Sequence, residues 1–92
     1  MYRLENWSVC FNEESPMPHL QGNVYGHPGF SDGHGVLTSS IVNAMGNVVT
    51  TRHSIYLLGE PNPEYIQWCK DNNVHVPTKE EPIKVYMDTK PC

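Results

Sequence analysis

Ninety-two residues with a net charge of −4, only 17% of them charged against roughly 25% in an ordinary domain, describe one small domain, residues 1–92, that gains from oligomerisation or a ligand. The basic residues Arg3, Arg52, Lys70, Lys79, Lys84 and Lys90 are scattered, which argues against a phosphate-neutralising patch and so against duplex nucleic acid as a partner. No run approaches the roughly 18 apolar residues of a membrane span, and three distant cysteines (Cys10, Cys69, Cys92) without a signal peptide read as reduced thiols in a soluble, cytoplasmic protein.

Along the chain, Leu4 to Phe11 alternates as a strand, with Trp7, Val9 and Phe11 on one face and Ser8 on the other. Residues 12–18 (NEESPMP) read as a charged, proline-punctuated loop. His19 to Tyr25 is a short strand in which Gly22 marks a bulge or a close backbone approach. The stretch HPGFSDGHG (27–35) is a turn-rich connector. Val36 to Val42 is a strand, and Ala44-Met45-Gly46-Asn47 forms a hairpin turn at residues that tolerate positive φ. The second arm runs from Val48 to Leu58, long enough to bend or split near Arg52-His53, and Gly59 ends it.

The clearest local signal is a helix over 62–72. Asn62 is its N-cap, Pro63 takes the first helical position, and Glu64 complements the positive end of the dipole. Tyr65, Ile66, Trp68 and Cys69 form an apolar stripe, and Asn72-Asn73 ends the helix. A connector follows, then an edge strand at 83–87 (IKVYM) and a loose tail at 88–92. The predicted fold is α+β: an antiparallel sheet of four to five strands, able to curl into a small barrel, with one packed helix.

Few constellations carry chemistry. His27 and His34 are separated by turn residues with no cysteine nearby, unlike a structural zinc site, so no metal is expected. Cys10 alternates within a strand and Cys69 lies on the helix stripe, where buried cysteine is common. Glu13-Glu14 and Glu80-Glu81 read as solvated charges, and no phosphate-cradling loop is present. These features predict a protein with no catalytic residue and no cofactor.

The remaining candidate is the stretch between Asp32 and Glu60, where Arg52 is the one full charge. Period-two alternation places Thr50, Arg52, Ser54 and Tyr56 on one face, and Val49, Thr51, His53, Ile55 and Leu57 on the other. The first arm adds Thr38 and Ser40 to the hydroxyl set. Such a face suits a phosphorylated or ribosyl ligand: Arg52 donates to phosphate, hydroxyls adapt, and Tyr56 stacks. The alternative is that Thr and Ser pairs stabilise the sheet while Arg52 meets a carboxylate. The connector presents His27 and Phe30, which either shape a site or, for Phe30, plug a barrel end.

From 24 to 68, the pattern VYGHPGFSDGHGVLTSSIV…GNVVTTRHSIYLLGEPNPEYIQW resembles small proteins of bacteriophages and prophages. It is also similar to phage sponge proteins that counter the Thoeris defence by sequestering cyclic ADP-ribose-type signals. The resemblance implies a homo-oligomer whose subunit-bordering pockets hold a nucleotide-derived messenger without cleaving it. In that reading Arg52, Thr38, Ser40, Thr50, Ser54, Tyr56, Phe30 and His27 bind the ligand. The alternative function is a small acidic inhibitor that docks on a host defence enzyme or nuclease.

Overall fold

The computed structural model describes residues 1–12, 15–78, 82 and 90–91. Five strands close on themselves: β1 (Tyr2–Asn12), β2 (Ser15–Tyr25), β3 (His34–Met45), β4 (Val48–Thr51) and β5 (Ile55–Leu58). Each strand reverses the one before it, so the first and fifth run the same way. The closing pair is therefore parallel, with Tyr2, Arg3 and Leu4 beside Tyr56, Leu57 and Leu58. This is the α+β barrel with one packed helix that the sequence predicts, closed by a parallel seam instead of being antiparallel throughout. Helix α1 (Pro63–Asp71) follows, and β6 (Lys90–Pro91) pairs with β1 at Cys10 and Phe11, inside the tail expected to be loose.

Inside the barrel, Leu4, Val9, Leu20, Val24, Ile41, Val49 and Leu58 pack together. Helix α1 joins the same core through Tyr65 and Cys69, and the Tyr65 ring lies 6.0 Å from that of Trp7. Trp7 fixes how the chain leaves the barrel. Its indole N–H donates to the Gly59 carbonyl at 2.9 Å, and its own carbonyl accepts the Asn62 amide at 2.8 Å. Asn62 then caps the helix, its side chain accepting the Glu64 amide at 2.8 Å, and Pro63 occupies the first turn.

Gly22 marks both a bulge and a close approach. Register slips between Glu5 and Ser8, where Asn6 has φ 51°, so Asn6 and Trp7 together face Gly22. A β-carbon on Gly22 would lie 2.9 Å from the Glu5 carbonyl oxygen and 3.1 Å from the Trp7 Cα. The Gly46-Asn47 turn joins β3 to β4 with Gly46 alone at positive φ, the Gly-first arrangement of a type II′ hairpin.

Several expectations are corrected. Ser15 to Pro18 belong to β2, not to a loop; there β2 pairs only with β1, since pairing to β3 begins at His19, so a proline in this part can lack a second donor. Phe11 is exposed while Ser8 is buried: Trp7, Ser8, Val9 and Cys10 are all buried, so both faces of β1 are covered there and burial does not alternate. Cys10 is disulfide-bonded instead of carrying a reduced thiol, whereas Cys69 is a free, buried one. Glu13, Glu14, Glu80, Glu81, Cys92 and the strand expected at 83–87 lie outside the described residues. Among those described, no helix is long and apolar enough to cross a membrane.

The largest correction concerns 48–58. The chain splits at Arg52-His53 into two strands that pair as a hairpin, Thr50 opposite Ile55, Val49 opposite Tyr56 and Val48 opposite Leu57. The Thr51 amide donates to the Ser54 carbonyl at 2.8 Å, and the Thr51 hydroxyl both accepts the Ser54 amide and donates to the Ser54 carbonyl, each at 3.1 Å. Reversal ends the alternation, so Thr50 shares the outer face with Ile55 and Leu57, while Thr51 and Tyr56 point inward. The inward positions of β3 also hold hydroxyls, Thr38 and Ser40. The greasy residues are left outside: Leu37 is 49% exposed, Ile55 45% and Leu57 36%.

Candidate functional site

Because β4 is only four residues long, the first half of β3 has no β4 partner beside it. A groove of about 340 Å³ fills that gap, lined on one wall by Phe30 and residues 34–39, and on the other by His53, Ser54 and Tyr56. It brings together four residues expected at the site, Phe30, Thr38, Ser54 and Tyr56, with three that were not, His34, Ser39 and His53.

The connector between β2 and β3 builds the aromatic wall. The Gly33 amide donates to the Val24 carbonyl at 2.8 Å, the Gly26 amide to the Asp32 carboxylate at 2.9 Å, and the Asn23 side chain to the Gly33 carbonyl at 3.0 Å. The loop so fixed lays Phe30 flat on His34, centroids 4.9 Å apart and planes 7° from parallel. His27 contacts the Phe30 ring at 4.8 Å, tilted by 50°, and Tyr2 at 4.3 Å, and Tyr2 leads on to Tyr56 at 6.1 Å. Four contacts thus chain five rings along one rim. The His27 Nδ1 accepts the Gly29 amide at 2.9 Å, which places the proton of the neutral ring on Nε2.

The hydroxyls divide into engaged and open ones. Thr38 accepts the Leu20 amide at 3.0 Å and donates to the Ser39 carbonyl at 2.8 Å, so its oxygen serves the barrel. Ser39 accepts the His53 amide at 3.2 Å and keeps its own proton to donate. Ser54 uses only its backbone on Thr51, leaving its hydroxyl open among the described contacts. The imidazoles of His34 and His53 make no hydrogen bond among the described residues, and no carboxylate lines the groove.

The other expected residues lie around this groove. His27 stands behind Phe30. Arg52 sits in the turn beside His53, its amide donating to the Ser40 carbonyl at 3.0 Å and its guanidinium making no ion pair among the described residues. Ser40 is buried and Thr50 points to the outer face, so neither belongs to the groove wall. Phe30 is an exposed wall residue and not a barrel plug. His34 and His53 escaped sequence reasoning because neither has a ligand-like partner nearby in sequence; the clue was the spacing of His27, Phe30 and His34 within one turn-rich loop, which folds their rings into contact.

Two other depressions lie among the described residues. One, of about 480 Å³, is lined by Asn6, Ser8, Gln21, Asn23, Asn62 and neighbouring β3 residues, with no ring and no charge. The other, of about 510 Å³, lies between Trp7, residues 58–61, Ile66, Pro77, Thr78 and Pro82. Among the described residues no three of His, Cys, Asp or Glu converge as metal ligands. No family model, curated protein or solved structure matches this chain.

Proposed function

We propose that this chain is a non-catalytic binding protein that sequesters a nucleotide-derived signal, acting in the host cytoplasm as a phage or prophage counter to antiviral defence. The observation that carries the reading is the Phe30–His34 stack on the wall of the groove. A flat, half-exposed π surface beside Ser39 and Ser54 suits a base and its ribose, stacking contributing about 1–3 kcal/mol per base. Arg52, free of a carboxylate among the described residues, is within one residue of the groove wall and supplies a bidentate donor for phosphate. The source and biological role rest on the sequence resemblance. Calorimetry with cyclic ADP-ribose isomers and cyclic oligonucleotides tests the proposal: heat from one of them supports it, and none from any at micromolar protein overturns it.

The apolar outer face beside the groove fits the homo-oligomer that belongs to this reading. Leu37 belongs both to that face and to the groove wall, so a second copy seated there borders the ligand. The same exposed leucine and isoleucine side chains favour one other reading, an inhibitor that docks on a host enzyme. Mass in solution separates them, an oligomer supporting the first and a monomer that captures a host protein the second.

A further inference from the structure

Building on the proposed stacking site, we infer that the groove selects an anionic planar ligand through the imidazoles of His34 and His53, so that binding tightens as the pH falls. The two rings belong to opposite walls, one on β3 and one in the β4–β5 turn. His34 is already stacked face to face on Phe30, so a proton there places a cation against the Phe30 ring, on the groove wall. His53 is held by its amide on Ser39, which leaves the ring free to meet a phosphate.

The surroundings leave these imidazoles as the variable charge. On β5 and β1 the neighbouring titratable groups are the phenols of Tyr56 and Tyr2. On the connector, Asp32 turns its carboxylate to the Gly26 amide, and His27 accepts the Gly29 amide through Nδ1. Arg52 contributes a fixed positive charge beside His53, and Arg3 is engaged by Glu5 and the Tyr25 ring. An imidazole gains its charge between roughly pH 8 and pH 5. An anion entering a groove without a carboxylate wall therefore meets more positive charge as the pH falls. By linkage, it also draws protons onto the protein as it binds.

The test uses two probes whose charge is constant over that range, 3′,5′-cyclic AMP as a monoanion and adenosine as its neutral counterpart. Calorimetry at pH 8 and pH 5.5, in buffers of different ionisation enthalpy, should show cyclic AMP binding about tenfold tighter at the lower pH with net proton uptake. Adenosine should bind equally at both. The variant His53→Gln, which leaves the Phe30–His34 stack in place, should reduce the pH dependence for cyclic AMP. Adenosine and cyclic AMP binding alike at both pH values, without proton uptake, overturns the imidazole inference while leaving the stacking site intact. Failure of both probes at both pH values overturns the stacking site and this inference with it.

Discussion

The Glu5 carboxylate stands over the Cα of Gly59, in the space a β-carbon would take, and accepts the Glu60 amide at 2.8 Å. It also meets the Arg3 guanidinium at 3.4 Å. Gly59→Ala must therefore displace a flexible acid from its hydrogen bond, at an expected cost of about 1–2 kcal/mol. The same substitution in a Glu5→Ala background should cost almost nothing. Urea unfolding of the four proteins completes the cycle, and equal costs in both backgrounds would show that Glu5 is not the obstacle.

Gly22 meets main chain and not a side-chain end, so its neighbours have little room to give. Gly22→Ala is expected to destabilise by about 2–3 kcal/mol. Gly35→Ala on the adjacent strand, where a β-carbon meets nothing within 4 Å, serves as the control and should change stability by less than about 0.5 kcal/mol.

Tyr65 is buried, with its hydroxyl lacking a well-formed hydrogen bond. Burial first, then the neighbouring Cys69, pushes its ionisation well above the ordinary value near 10. The folded protein then holds a proton that the unfolded chain releases, so stability present below pH 10 falls as the pH rises beyond it. Thermal melts from pH 8 to pH 11 should show this alkaline loss, and Tyr65→Phe should reduce it. At pH 7 that variant should be within about 1 kcal/mol of the parent, since an unmatched hydroxyl is removed.

Phe30 is a wall of the groove and not part of the core cluster. Phe30→Ala should leave unfolding within about 0.5 kcal/mol while weakening nucleotide binding at least about tenfold. Titration calorimetry alongside a urea curve separates the two effects. A large loss of stability would make Phe30 structural.

The disulfide at Cys10 predicts a labelling pattern. Iodoacetamide in denaturant without reductant should modify Cys69 and spare Cys10, and prior reduction should open Cys10 to the reagent. Peptide mass mapping reads the result, and labelling of Cys10 before reduction would contradict the bond.

Local chemistry was legible where a residue type has one use. Asn62-Pro63-Glu64 could hardly be anything but a helix start, and Gly22 inside a strand had to mark a bulge or a close approach. The length of 48–58 allows a split at Arg52-His53, but its effect on the faces is not legible in the sequence. The run TTRHSIY contains no Gly, Pro or Asn, and its reversal is held by the Thr51 hydroxyl bonded to both ends of Ser54. β-branched residues that ordinarily extend a strand here fold it back, so every face assignment beyond Thr51 changes sign. The candidate site was half legible for the same reason. Phe30, Thr38, Ser54 and Tyr56 reach one groove, but His34 and His53 join them only through that turn and the loop opposite.

The parallel seam between β1 and β5 sets the order in which this molecule assembles. Hairpins β3–β4 and β4–β5 join neighbours in sequence, whereas the seam brings Leu4 to Leu58 across most of the chain, through three residue pairs. Closing that loop costs more entropy than closing either hairpin, so the seam is expected to seal after the meander. Until it forms, two strands stand with unpaired edges, and a nascent chain is most open there to pairing with another copy. In the folded barrel, Trp7 adds to that short contact by holding Gly59 and Asn62 just past the seam.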